Sequence, residues 1–230
     1  MLLNDSDRML LQRLMAAGAM EEHQVRRLAK KLTGEGADAL LRLNQGDVDA
    51  MVNKIAASVR GFALDVRRGV YDDGKMYIAI VNTSNDALTQ FSSNFKAWEI
   101  VFLRKAIEGI VESDGGAMHE ADLINLRDNT TISEVHELIR KLTTEKWLGP
   151  SLHAADTLGI TLGPRTYLEL IAFLRDLEVK KCAICKYEML QGASCGGDCD
   201  TVLHTSCINK YEEKGLQYKC SECKTPVRPR

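Results

Sequence analysis

The stretch CAICKYEMLQGASCGGDCDTVLHTSCINKYEEKGLQYKCSEC, residues 182–223, decides how the rest of the chain is read. It holds all seven cysteines, and none of the 181 residues before it is a cysteine. With one histidine they run C-x2-C-x9-C-x3-C-x4-H-x2-C-x12-C-x2-C, the members being Cys182, Cys185, Cys195, Cys199, His204, Cys207, Cys220 and Cys223. Eight nitrogen and sulfur donors suffice for two four-coordinate zinc ions with none left over. Two residues between paired cysteines form a tight knuckle that aims both sulfurs at one ion. The segment is about 40 residues long and poor in large apolar side chains, and domains of that size seldom fold without a staple. Structural zinc supplies on the order of 10–16 kcal/mol per ion, which here is folding free energy. An odd number of cysteines argues against a disulfide framework and for a reducing compartment. Spacing alone leaves open whether the two ions are held sequentially or by interleaved ligands.

The chain has 230 residues, which favours one or two domains. Its net charge of −2 excludes a polybasic nucleic-acid coat and an acidic tail. Hydrophobic residues at 45% and only four prolines fit a protein with a real core. No stretch has the roughly 18 uncharged apolar residues of a membrane span, so no membrane partner is expected. The N-terminal MLLNDSDRMLLQRL is interrupted by Asp5, Asp7 and Arg8, which argues against a secretory leader. From Lys180 onward nine Lys/Arg face six Asp/Glu. Two zinc ions and seven thiolates bring that module near neutrality. It is not a basic DNA-reading finger, and the basic helix of such a finger is absent.

Two similar blocks precede the cysteines. In the first, Ser6 or Asp5 is placed to cap a helix carrying Leu10, Leu11 and Leu14, with Gly18 as its stop. A second helix carries Val25, Leu28 and Leu32 and ends at Gly34. A third places Val48, Met51, Val52, Ile55 and Val59 on one face and stops at Gly61. FALDVRR then alternates Phe62, Leu64 and Val66, Asp72-Asp73-Gly74 makes a turn, and Met76–Asn82 returns as a strand. The second block repeats the order. Lys96–Ser113 is an apolar helix, Glu120–Leu126 a short one, and Thr131 with Glu134 a capping box before Ile132, Val135, Leu138, Ile139 and Leu142. Lys146-Trp147-Leu148 and Leu158–Leu162 form a second hairpin, and Pro164 opens one further helix that runs straight into Cys182. The zinc module is thus expected to sit semi-rigidly on that helix.

Three helices followed by a hairpin outline a winged-helix domain, here in tandem. Such domains bind DNA or proteins. A DNA reading would use Arg26, Arg27, Lys30 and Lys31 with Arg67 and Arg68 on phosphates. The first 179 residues carry 21 Lys/Arg against 26 Asp/Glu, which favours a solvated face instead. Protein docking is the better use, with Trp98, Phe102 and Trp147 as candidate anchors or as core. Phosphate-binding glycine loops are absent. His23, His119, His136 and His153 stand without an acid or nucleophile partner at any telling spacing, so no catalytic residue is expected.

The ligand order, four cysteines, then a histidine, then three cysteines, resembles two cross-braced families, the variant RING and the PHD finger. Both imply interleaved ligation, with Cys182, Cys185, His204 and Cys207 on one zinc and Cys195, Cys199, Cys220 and Cys223 on the other. RING resemblance implies contacts to a ubiquitin-conjugating enzyme through Ile184 in the first knuckle, Tyr211 on a short helix (Ile208–Lys214), Lys224 after the last cysteine, and Pro226. Lys224 stands where active RINGs often carry an arginine, and the last knuckle lacks the usual proline, so ligase activity is expected to be weak or partner-dependent. PHD resemblance rests on Tyr218, two residues before Cys220, and implies a histone-tail reader. A methyl-lysine cage needs at least two aromatic faces, and only Tyr187, Tyr211 and Tyr218 are offered.

Taken whole, the chain resembles the non-SMC element 1 family, the RING subunit of the SMC five/six genome-maintenance complex. The likeness is carried by CAIC (Cys182–Cys185), HTSC (His204–Cys207), CSEC (Cys220–Cys223) and the opening LLQRLMAAGAM. It implies an α+β fold with winged-helix domains at residues 1–90 and 91–178 and a two-zinc cross-brace RING-like domain at 179–230. It also implies a MAGE-type winged-helix partner, a kleisin-type subunit, DNA reached through the complex, a nuclear location and a role in DNA repair by recombination. A purely structural zinc scaffold is the further alternative.

Overall fold

The computed structural model describes residues 2–33, 45–83, 95–153 and 158–227. The first block runs α1 (Asp5–Ala17), β1 (Met20–Glu21), α2 (Glu22–Thr33), α3 (Gln45–Val59), β2 (Leu64–Val70) and β3 (Met76–Asn82). Asn4, not Ser6 or Asp5, caps α1. Its side chain accepts from the Asp7 amide while the Asp7 carboxylate accepts from the Asn4 amide. The Gly34 stop expected for α2 lies outside the described residues, as does the expected boundary at residue 90. Phe62 falls in a short 3-10 turn before β2 and is exposed, so it does not begin the strand.

Leu10, Leu14, Val25, Ala29, Val48, Val52 and Ile55 recur at helical spacing and meet Ile78 and Ile80 of β3 in one core. Side chains alternate across a strand, so Ala79 and Val81 face the other way. There they pack with Ala19 and Leu168. β3 is the middle strand of the order β1-β3-β2, with Val66 opposite Ile80 and Val70 opposite Met76. Burial on both faces explains its unbroken MYIAIV, where a half-solvated strand would alternate.

The second block repeats the order with α4 (Ala97–Glu112), β4 (Met118–His119), α5 (Glu120–Asn125), α6 (Ile132–Thr144), β5 (Leu148–Pro150) and β6 (Gly159–Leu162). Its sheet has the order β4-β6-β5, the same topology as the first. Thr131 caps α6 in the expected box with Glu134. Leu103, Ile107, Ile110, Leu123, Leu138 and Leu142 form the centre of the core. Phe102 and Trp147 belong to that core at 3% and 1% exposure, which decides between the two readings in favour of core; Trp98 packs against it partly buried. The single helix expected from Pro164 is two, α7 (Pro164–Glu169) and α8 (Ile171–Asp176). They are separated by Leu170 at φ −106°, ψ 27°, and Leu170 and Leu174, four residues apart, both enter the core.

The hairpin between β2 and β3 is not free. Tyr71 is buried in the second core, and its hydroxyl donates to the Leu162 carbonyl at 2.8 Å. Arg67 donates to the Leu168 carbonyl, and Arg68 pairs with Asp49 at 2.7 Å. The two arginines that a DNA reading would draw from this hairpin are therefore engaged within the fold. The last segment holds β7 (Ala193–Ser194), β8 (Val202–Leu203) and α9 (Thr205–Glu212), the last displaced toward the N-terminus from the expected 208–214. No helix among the described residues is long and apolar enough to cross a membrane.

Candidate metal centres

The eight cysteine and histidine side chains gather into two tetrads. Cys182, Cys185, His204 and Cys207 form one and Cys195, Cys199, Cys220 and Cys223 the other, with the donor atoms of each within 4.8 Å of one another. The arrangement is interleaved, since the second pair of each tetrad lies beyond the first pair of the other.

Local structure explains each placement. Cys182 and Cys185 sit on a knuckle closed by the Lys186 amide on the Cys182 carbonyl (2.9 Å) and the Cys182 amide on the Tyr187 carbonyl (2.9 Å). Cys220 and Cys223 repeat it, with the Lys224 amide on the Cys220 carbonyl (3.1 Å) and the Cys220 amide on the Thr225 carbonyl (3.0 Å). Lys186 and Lys224 adopt φ of 66° and 62°. Left-handed residues there turn the chain back so that both sulfurs of a pair converge. His204 caps α9 and Cys207 lies in its first turn, so the strand-to-helix junction delivers both to one point. The Ala183 amide bonds the Val202 carbonyl at 3.0 Å and ties the first knuckle to β8.

The donor sets fit metal. A tetrahedral ion with sulfurs at about 2.3 Å sets them about 3.8 Å apart. Cys199 lies 3.6 Å from Cys220 and 3.5 Å from Cys223, and Cys195 lies 3.3 Å from Cys223. In the first tetrad His204 Nδ1 is 3.3 Å from Cys185 Sγ and 3.9 Å from Cys207 Sγ. Within each tetrad the thiols are pulled opposite ways: contact with Cys182 pushes Cys207 up, and contact with Cys223 pushes Cys195 up. Hydrogen bonds from Cys185 and Cys207 push the Cys182 thiol down, and the Thr201 hydroxyl helps hold Cys220 down at about 6. Burial opposes a charged His204 and, without an ion, Asp72 and the neighbouring sulfurs favour it; a bound ion would take the Nδ1 lone pair and leave the ring neutral.

Sequence reasoning found the donors but not the residues around them. Thr201 and Thr225 approach the second tetrad through their hydroxyls. Asp72, from the distant β2–β3 turn, stands 3.6 Å from His204 Nε2. Its sequence signal is that of a turn, and nothing in Asp-Asp-Gly marks a buried partner. Of the expected conjugating-enzyme contacts, Ile184 is half-buried against the module core, Tyr211 is half-buried, and Lys224 and Pro226 are exposed at the last knuckle. The Lys224 ammonium donates to the Ser221 carbonyl at 2.7 Å. Tyr211 and Tyr218 meet edge to face with centroids 5.3 Å apart, the edge of one ring against the face of the other.

Fold and site together define an α+β protein with two topologically matched sheets, ending in two interleaved donor tetrads that could each hold a metal ion and that fit a RING-like domain. The sequence profile of the family described as Nse1 non-SMC component of SMC5-6 complex matches residues 7–130. The non-structural maintenance of chromosomes element 1 homologs of Homo sapiens and Bos taurus are 28% and 29% identical over 96% of this chain and 83% of theirs. The Schizosaccharomyces pombe protein of that description is 26% identical over 97% of this chain and 92% of its own. A solved chain of an Nse1-Nse3-Nse4 complex superposes with a TM-score of 0.77 and 26% identity, covering 100% of this chain and 99% of that one. The chain belongs to the Nse1 family of non-SMC components of the SMC5-6 complex.

Proposed function

We propose that this chain is a RING-type ubiquitin ligase subunit of an SMC5-6 complex, acting in DNA repair and recombination in the nucleus. The interleaved tetrads on a chain of this family carry the proposal. Zinc is the metal that three thiols with an imidazole, and four thiols, suit best, and four protein ligands leave each ion no open position. The zinc is structural on this reading and supplies no step of the chemistry.

The two blocks act as winged-helix domains, residues 1–90 and 91–178, with the RING-like domain at 179–230. The repeated order helix, strand, helix, helix, strand, strand supports this. The likeness to a chain of an Nse1-Nse3-Nse4 complex supports a MAGE-type partner and a kleisin-type partner. Catalysis is positioning: Ile184, Tyr211, Lys224 and Pro226 hold a ubiquitin-charged conjugating enzyme so that its thioester meets the acceptor amine, an orientation effect. No acid or base from this chain is needed, and DNA is reached through the complex.

The test is single-turnover discharge of ubiquitin from a charged conjugating enzyme, with this chain in complex with its MAGE-type partner. Stimulation by the native complex and its loss in an Ile184→Ala, Lys224→Ala double variant support the reading. Equal discharge by both, with assembly intact, refutes the ligase and leaves a zinc buttress. Metal analysis of the same complex should return two equivalents of zinc.

A further inference from the structure

The tip of the β2–β3 hairpin enters the first metal centre from outside the zinc module. Asp72 has a fully buried side chain, as does His204. Its Oδ2 accepts from the Tyr167 hydroxyl at 2.7 Å, the Gln191 amide at 3.0 Å and the Leu190 amide at 3.3 Å. Three donors saturate that oxygen. The other oxygen, Oδ1, has no hydrogen-bond partner among the described residues and faces His204 Nε2, which has none either. On the far side of the ring Nδ1 points at the sulfurs. A neutral imidazole that gives Nδ1 to a metal carries its proton on Nε2. That N–H is buried, and a buried donor without an acceptor is costly. A movement of about half an ångström brings 3.6 Å into hydrogen-bond range.

We propose that Asp72 is a positioning residue for the first metal centre: its Oδ1 accepts the Nε2–H of His204 and fixes the imidazole with Nδ1 toward the metal. Carboxylates that hold ligating histidines in this way set both tautomer and ring orientation, and their loss weakens metal binding 10- to 100-fold. The aspartate belongs to the first block and the histidine to the last segment. Metal capture and docking of the hairpin are consequently linked, and each favours the other. Ser206, in the first turn of α9, lies against Gly74 of the same turn, so the contact is an extended seat and not a single pair.

The inference rests on metal occupancy of the tetrad, and not on ligase activity. Asp72→Asn tests it in the zinc-loaded full chain. The three donors to Oδ2 retain the amide oxygen there, which turns the amide NH2 toward the imidazole N–H. Docking is kept while the acceptor is lost. Competition with a chromogenic chelator should then show one of the two zinc ions bound 10- to 100-fold more weakly and the other unchanged. In cobalt-substituted protein, the absorption of the three-thiol-plus-imidazole centre should fade first. Tyr167→Phe, which removes only a bond to Oδ2, should stay within about threefold of native on the same scale. Native affinity at both ions in Asp72→Asn overturns the proposal, as does equal weakening by Tyr167→Phe. Native protein holding fewer than two ions overturns the metal reading itself. If Asp72→Asn does not fold, the ring nitrogens of His204 in native zinc-loaded protein decide. A protonated, exchange-protected Nε2 is expected, and a bare or freely exchanging Nε2 refutes it.

Discussion

Tyr71 offers the sharpest measure of how the two blocks are joined. It lies on the hairpin of the first block but is 6% exposed within the core of the second, between Tyr77 and Tyr167 at centroid distances of 5.7 and 5.6 Å. Tyr71→Phe keeps the ring and removes the hydrogen bond to Leu162, a loss of about 1 kcal/mol. Tyr71→Ala removes the ring as well, and large-to-small aromatic changes in cores cost about 3–5 kcal/mol. For a domain of this size each kcal/mol moves the melting temperature by about 2–4 °C. The expected shifts are thus about 2–4 °C for the phenylalanine variant and about 6–20 °C for the alanine variant. Thermal unfolding of the zinc-loaded chain by circular dichroism reads both. Hydrogen exchange over residues 147–179 should show where the alanine variant opens. A melting temperature for Tyr71→Ala that stays within about 2 °C of native would show that the hairpin tip does not share the second core.

Alkaline solution should weaken the same junction. Burial, then the charge of Asp72, raises the Tyr71 phenol above its ordinary value, so the folded state keeps a proton that the unfolded chain releases near pH 10. This contribution is full below about pH 10 and is lost as pH rises above it. Denaturant midpoints between about pH 9 and 11 should therefore fall less steeply in Tyr71→Phe, and equal slopes would refute the assignment. Gly74 has φ +78°, and a Cβ there would overlap Ser206, so Gly74→Ala should lower the melting temperature and increase exchange at α9. Unchanged exchange at α9 would mean that the turn does not seat on the last segment. Thr131→Ala removes the α6 cap and should cost about 1 kcal/mol. Hydrogen bonds from the Thr131 amide and hydroxyl hold the Glu134 carboxyl below the usual carboxylate range. The cap contribution is present above about pH 4.3 and is lost as pH falls through the lower folded value. A carboxyl carbon titration midpoint at or above about 4.3 would refute it.

Much of this architecture is legible because some signals are purely local. The α6 capping box needs only Thr131 and Glu134 at their spacing, and Met76–Asn82 announces a strand by its apolar run. The cysteine pairs declare their knuckles for the same reason. What escaped prediction depends on partners remote in sequence. β1 and β4 are two residues each and are strands only because β3 and β6 offer them an edge. Leu170 breaks a helix whose local propensity is continuous, and no residue around it marks the break. Trp147 carries the same signature whether it anchors a partner or fills a core, and only packing decides. Asp72 reads as a turn residue and is one; its second role exists only once Gln191 and His204 have been brought to it.

The position of that hairpin also bears on how the chain is born. Asp72 leaves the ribosome 119 residues ahead of Gln191. At about 5–20 residues per second that is a delay of roughly 6–24 s. Through that interval the Asp72 carboxylate waits for the two backbone donors that seat it, the amides of Leu190 and Gln191. The nascent first block is thus obliged to hold an unfinished edge open, and any chaperone that shields it must let go when the last segment arrives.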